Sequence, residues 1–137
     1  MEINGLEDCE LERYITEIML DIGVPAHLRG YHYLRAAILI SGKDMEVVSS
    51  VTKLLYPTIA KRFKTTDQKV ERAIRNAIEV SWQRGNAETF ERMFGYSVQT
   101  GRNRPTNSEY IARIADKIRM DATTGEKHVT ERNRTLL

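Results

Sequence analysis

The chain has 137 residues, of which 41% are hydrophobic and 29% charged, with a formal net charge of +2. This length allows one compact domain and not two full ones, and the composition is that of a globular protein rather than a collagen-like or proline-rich chain. No apolar run approaches the roughly 20 residues that cross a bilayer. The acidic N-terminus lacks the pattern of a secretory signal, and the single cysteine, Cys9, permits no internal disulfide. We therefore expect a cytoplasmic protein.

The charge is distributed unevenly along the chain. Residues 1–25 carry seven acids and one arginine, whereas residues 61–75 carry six basic residues and two acids. The small net charge thus conceals an acidic end and a basic centre. Such an asymmetry is typical of proteins that bind a polyanion.

Apolar residues recur at three- and four-residue spacing along most of the chain, which predicts an all-α domain of six or seven short helices. The first helix ends at Gly23-Val24-Pro25. A second helix covers residues 28–40 and ends at Ser41-Gly42. Asp44 is a suitable N-cap for a third helix, which would bury Val47, Val48, Val51, Leu54 and Leu55.

Pro57 fits the first turn of a short helix, which would bury Ile59, Ala60 and Phe63. Thr65 and Gln68 match a capping box that opens a long helix over residues 67–84. Gly85 is expected to end this helix in the left-handed conformation. Trp82, near its end, fits a core position better than a surface hot spot.

Asn86 is expected to cap a further short helix that ends at Gly95. Residues 97–105 are polar with Gly and Pro, which predicts a loop. Thr106 and Glu109 form a second capping box, which opens a last helix with Tyr110, Ile111, Ile114, Ala115 and Ile118 on one face. We expect a helical domain over residues 8–120, a linker remnant at 1–7 and a disordered tail at 121–137.

Residues 56–75 match a helix-turn-helix. Ala60 supplies the small residue that a steep helix crossing needs, and Val70 returns an aliphatic side chain from the second helix. Lys64 occupies the turn position where glycine is frequent. The exposed residues of the second helix are candidates for reading DNA bases, and those before it for neutralising phosphates. The base-reading candidates are Gln68, Lys69, Glu71, Arg72, Arg75 and Asn76, and the phosphate candidates are Lys61, Arg62, Lys64 and Thr66.

Four segments together resemble a known family. They are IGVPAHLRGYHYLRAAI (residues 22–38), VTKLLYPTIAKRFKTTDQKVERAIRNAIEVSWQRGN (51–86), FGY (94–96) and RPTNSEYIARIADKIR (104–119). They resemble the C-terminal effector domain of stage-zero sporulation protein A, a response regulator of sporulation. The resemblance implies a six-helix domain that binds a short asymmetric DNA box, often in tandem copies, and activates or represses transcription.

The resemblance also implies residue roles. Lys69, Glu71 and Arg72 would read bases with help from Arg75, and Lys69 departs from the arginine typical of the family, which weakens or shifts readout at that base. A surface that contacts the RNA polymerase sigma subunit would include Glu79, Val80, Arg84 and Phe94. Family members begin with a receiver domain that this chain has no room for. We therefore expect either an excised effector domain or a relative without a receiver, and an isolated effector domain is expected to bind DNA without phosphorylation.

Other classes of function receive less support. His27 and His32 are five residues apart and do not share a helix face as metal ligands would, and acidic neighbours disfavour Cys9 as a nucleophile. We find no glycine-rich phosphate loop and expect no enzyme activity, cofactor, metal or membrane contact. The main alternative is a helical protein-interaction module, such as an anti-activator, that uses the same helices without binding DNA.

Overall fold

The computed structural model describes residues 8–95 and 104–123, which form helices and turns without a strand. The α-helices in chain order are α1 (Asp8–Asp21), α2 (Arg29–Lys43), α3 (Tyr56–Arg62), α4 (Asp67–Arg84), α5 (Ala87–Phe94) and α6 (Asn107–Thr123). The predicted all-α class and helix-turn-helix order are confirmed. The predicted linker at 1–7, most of the predicted loop at 97–105 and the predicted tail beyond residue 123 lie outside the described residues.

Helix α2 lies at the centre of the fold, because it packs against α1, α4 and α6. Its Leu34, Ala37 and Ile38 are completely buried, as their helical spacing predicts. The residues predicted for the inner face of α6 are buried as well. The predicted capping box of α6 is confirmed, since Thr106 N donates to Glu109 Oε1 (3.0 Å) and Glu109 N donates to Thr106 Oγ1 (3.1 Å).

The predicted third helix is not α-helical. Asp44 does act as a cap, because its carboxylate accepts a hydrogen bond from Glu46 N at 3.1 Å. The chain then forms a 3₁₀ segment (Met45–Ser50) and a π-helical turn (Val51–Leu55) that leads directly into α3. Pro57 has no N–H to continue an α-helical ladder, and a run of β-branched and serine residues has low helix propensity. Leu54 is 52% exposed rather than buried.

Helices α2 and α4 touch at Gly30. A Cβ at this position would lie 2.0 Å from the main-chain oxygen of Ala73 and 2.9 Å from Ala77 Cβ. Only a residue without a side chain allows the two backbones to approach this closely. The contact therefore fixes the start of α2 against the middle of α4.

The C-terminal end of α4 is held by a buried polar cluster. Ser81 Oγ donates a hydrogen bond to Ile22 O (2.8 Å) and lies 2.8 Å from the hydroxyl of Tyr110, whose pKa is raised by burial. Gly85 follows with φ −71°, so the predicted left-handed ending is wrong. Its glycine is required for space, because a Cβ would lie 2.2 Å from Phe90 Cε2.

Two acidic residues of α1 form ion pairs with basic residues of α2. Asp8 pairs with Lys43 (2.6 Å), which lowers the pKa of the carboxyl, and Glu12 lies 3.7 Å from Arg35. These two acids therefore contact α2 rather than forming a wholly solvated face. None of the described helices is long and apolar enough to cross a membrane.

Replacing Gly30 with alanine tests the α2–α4 contact. We expect Gly30→Ala to lower the free energy of unfolding by about 3 kcal/mol, because the added methyl forces two backbones apart. Gly95→Ala is the matched control, since Gly95 has φ +70° and an added Cβ would make only an ordinary contact, 3.6 Å from Arg113 Nη2. That control should cost about 1 kcal/mol for the left-handed conformation alone. Equal losses in urea denaturation would contradict the close approach.

Candidate nucleic-acid interface

Helices α3 and α4 form the predicted helix-turn-helix. Ile59 and Ala60 of α3 are buried against Val70 and Ile74 of α4. Phe63, which the sequence predicts to be buried, is 37% exposed. It follows the last residue of α3, and its ring packs edge-on against Tyr33 of α2 with 5.0 Å between ring centroids. The crossing itself thus agrees with the sequence pattern.

The turn between the two helices depends on Lys64. This residue has φ +55° and is the one non-glycine residue with positive φ in the described ranges. Thr65 N then donates to Ala60 O (2.9 Å), which closes the end of α3. Lysine therefore takes the left-handed conformation that glycine adopts more easily, at the turn position where glycine is frequent.

The start of α4 differs from the predicted capping box. The N-cap is Thr66, whose Oγ1 accepts a hydrogen bond from Lys69 N at 3.2 Å, and not Thr65. The hydroxyl proton of Thr66 remains available to a ligand. The positive end of the α4 dipole and the basic residues of α3 lie on either side of the turn. All four predicted phosphate contacts are exposed, namely Lys61, Arg62, Lys64 and Thr66.

The outer face of α4 borders a groove of about 500 Å³. The groove brings together four of the predicted base-reading residues, Lys69, Arg72, Arg75 and Asn76, and one residue predicted for the sigma contact, Glu79. Helix α2 contributes Arg29 and Tyr33 to the opposite wall, and the sequence analysis named neither. Arg72 is exposed on the face directly opposite the buried Val70 and Ile74, which suits it to reach a ligand.

Glu71 occupies a different position from the other candidates. Its side chain is 34% exposed, with Oε1 lying 3.5 Å from Arg75 Nη1, while Oε2 is buried without a hydrogen bond to any described residue. Its main-chain oxygen accepts a hydrogen bond from Asn107 Nδ2 (3.3 Å), which also donates to the hydroxyl of Tyr56 (2.9 Å). Burial raises the pKa of Tyr56. Asn107 thus joins the start of α6 to both helices of the motif.

Arg62 lies apart from the groove. It borders a second hollow of about 240 Å³, together with Glu12, Arg35 and Phe63. Gln68, Lys61 and Lys64 are exposed but do not line the main groove. The structure therefore separates the predicted phosphate contacts into more than one patch.

The four residues predicted to contact the sigma subunit differ in their exposure. Glu79 and Arg84 are exposed, and Val80 is partly exposed. Phe94, in contrast, is only 3% exposed and packs against Phe90 and Tyr110. Its ring forms part of the core, which corrects the expectation that it offers a surface contact. Trp82 packs edge-on against Phe90 at 4.9 Å, in line with the expected core position.

Sequence reasoning missed Arg29, Tyr33 and Asn107. The neighbouring Gly30 could have pointed to Arg29 and Tyr33, because a glycine within a helical pattern often marks a close approach of another backbone. Asn107 carries no such signal, since its two hydrogen bonds join segments 36 and 51 residues away. No group of three or more His, Cys, Asp or Glu residues within 8–95 and 104–123 could hold a metal ion.

The left-handed turn can be tested by comparing two substitutions of Lys64. Both Lys64→Gly and Lys64→Ala remove the same charge, but only alanine must adopt the unfavourable φ. We expect the glycine variant to be more stable than the alanine variant by about 1 kcal/mol in urea denaturation. Equal stability of the two variants would mean that position 64 does not adopt positive φ.

One comparison with known proteins bears on this arrangement. The family model described as "Sporulation initiation factor Spo0A C terminal" matches residues 15–118, about three quarters of the chain. The match includes α2 to α5 entirely, the second half of α1 and most of α6, so it spans the helix-turn-helix and both walls of the groove. The family consists of DNA-binding effector domains of transcription regulators. The chain belongs to the Spo0A C-terminal family, the DNA-binding effector domain of sporulation initiation.

Proposed function

We propose that this chain reads a specific DNA sequence by placing α4 in the major groove of a duplex. The observation that carries the proposal is the groove beside the exposed face of α4. Four of its lining side chains are cationic (Arg29, Lys69, Arg72 and Arg75), and one is acidic, Glu79. This excess of positive charge suits a polyanion, and an α-helix with exposed polar side chains fits the width of the major groove.

The side chains of α4 differ in how they can contact bases. Arg72 can form paired hydrogen bonds with guanine, and Asn76 can do so with adenine. Lys69 offers a single ammonium group, which lacks the planar fork of arginine. Glu71 can accept a hydrogen bond from cytosine N4 when it exchanges its ion pair with Arg75 for the base. Gln68, in the first turn of α4, is the remaining base-reading candidate.

The remaining exposed cations act on the DNA backbone. Lys61, Arg62 and Lys64 would neutralise phosphates, and the hydroxyl of Thr66 would donate to one of them beside the positive end of α4. Such contacts orient the protein on the duplex and carry no base information. We therefore assign sequence choice to α4 and much of the salt-dependent affinity to α3 and the turn.

We also propose that the exposed side of the C-terminal half of α4 contacts the RNA polymerase sigma subunit. Glu79, Val80 and Arg84 lie on this half of the helix, beyond Asn76, the last of the base-reading candidates. A duplex bound at the N-terminal half would leave the other end of α4 accessible to a protein. We propose in addition that copies of the domain bind adjacent DNA boxes in tandem.

A protein-interaction module that does not bind DNA is the alternative. The two functions differ in their dependence on salt, because neutralising several phosphates releases counterions. DNA binding should weaken steeply as salt rises, whereas a neutral protein interface should not. The cationic groove favours the DNA-binding function over the alternative.

Replacing Arg72 tests the base-reading role of α4. We expect Arg72→Ala to cost roughly 1–3 kcal/mol of specific binding and to relax sequence choice, because a paired contact with a base is lost. The measurement is a gel-shift titration with target and scrambled duplexes. Arg13→Ala, which removes an exposed arginine of α1, is the control and should bind as the wild type does. Unchanged discrimination in Arg72→Ala would contradict the role.

Replacing Lys61 tests the phosphate role of α3. Lys61→Ala should weaken binding to all duplexes by a similar factor and lower the slope of log affinity against log salt by about one. Titrations at several salt concentrations measure both quantities. A loss confined to the target sequence would instead assign Lys61 to base reading.

A further inference from the structure

We propose that Arg29 and Tyr33 of α2 form a second backbone-binding wall, which contacts a DNA strand bordering the major groove occupied by α4. This inference rests on the proposed DNA-binding function and extends it to a helix outside the helix-turn-helix. The ligand is a phosphate group of the duplex backbone. The contact would hold the duplex between two helices rather than on one.

Arg29 and Tyr33 lie on the same side of α2, because they are four residues apart in one helix. Both line the groove of about 500 Å³, whose other wall carries Lys69, Arg72 and Asn76. A duplex that reaches these residues of α4 therefore also comes close to the first turns of α2.

The position of this wall is fixed by the adjacent Gly30. Its backbone lies so close to Ala73 O that a Cβ would come within 2.0 Å of that oxygen. Arg29 precedes this contact by one residue, so its backbone cannot move away from α4 without breaking it. The distance between the two walls is thereby set by packing and not by a flexible loop.

The guanidinium group of Arg29 is open to a ligand. Arg29 is exposed and forms no ion pair or hydrogen bond within the described part of the chain. Arg35, farther along the same helix, is in contrast engaged by Glu12, Thr16 and the ring of Tyr31. A guanidinium without a protein partner can form paired hydrogen bonds with phosphate oxygens.

Tyr33 adds a neutral donor beside that charge. Its side chain is 7% exposed and packs against Phe63, which fixes its direction. Its hydroxyl has no hydrogen-bond partner among residues 8–95 and 104–123. The start of α2 also has no side-chain cap at Leu28, so its first N–H groups add positive potential on the same side.

Three variants test the second wall in titrations with target and scrambled duplexes at several salt concentrations. We expect Arg29→Ala to weaken both duplexes by about three- to tenfold and to lower the salt slope by about one, with their ratio unchanged. Tyr33→Phe should weaken both by about two- to fivefold without changing the slope, because the hydroxyl is uncharged. Arg13→Ala, the control for one lost charge, should match the wild type.

Thermal unfolding of each variant establishes that the fold is intact, and Arg29→Lys, which keeps the charge, should restore the salt slope. If Arg29→Ala and Tyr33→Phe bind as the wild type does while Arg72→Ala loses discrimination, the second wall is wrong and the proposed function stands. If Arg29→Ala changes which sequence is preferred, the residue reads bases and the phosphate assignment is wrong. If the wild type binds no duplex, the proposed function and the second wall both fail.

Discussion

The close approach of α2 and α4 at Gly30 sets the position of the helix-turn-helix against the centre of the fold. With no side chain between the two backbones, α4 lies directly against the central helix and its opposite face is left to solvent. Two further contacts secure α4 along its length. Asn107 binds the main-chain oxygen of Glu71 near the start, and Ser81 binds Ile22 and Tyr110 near the end. A helix held at three points presents its outer side chains in a fixed arrangement, which is what selective recognition of a rigid duplex requires.

The electrostatics follow from this arrangement. Because the buried face of α4 is apolar apart from Ser81, its charged residues lie on the outer face and at the edges of the groove. Glu71 is paired with Arg75, and the groove beside α4 is lined by four cationic side chains against one acidic side chain, Glu79. Two acidic residues of α1, Asp8 and Glu12, instead form ion pairs with Lys43 and Arg35 of α2. A near-neutral net charge of the chain is therefore compatible with a basic surface beside α4.

Much of the fold could be predicted from the sequence, because helical periodicity and most end signals are local properties. The helix-turn-helix and the capping box at Thr106 are examples. The errors arise where neighbours in space decide. Gly85 is needed to make room for Phe90 and not for a left-handed turn, and Phe94 faces the core because α6 covers it. The base-reading candidates could be named from the motif, but Arg29 belongs to a helix that meets the groove only in the folded chain.

The central claim is that the outer face of α4 selects a DNA sequence. Selection of bound duplexes from a random pool at physiological salt tests it most directly, since the pool contains every short sequence that the helix could prefer. If α4 selects a DNA sequence, one short asymmetric motif should become enriched over successive rounds of selection. Recovery of duplexes without any enriched motif, or no recovery of DNA at all, would contradict it.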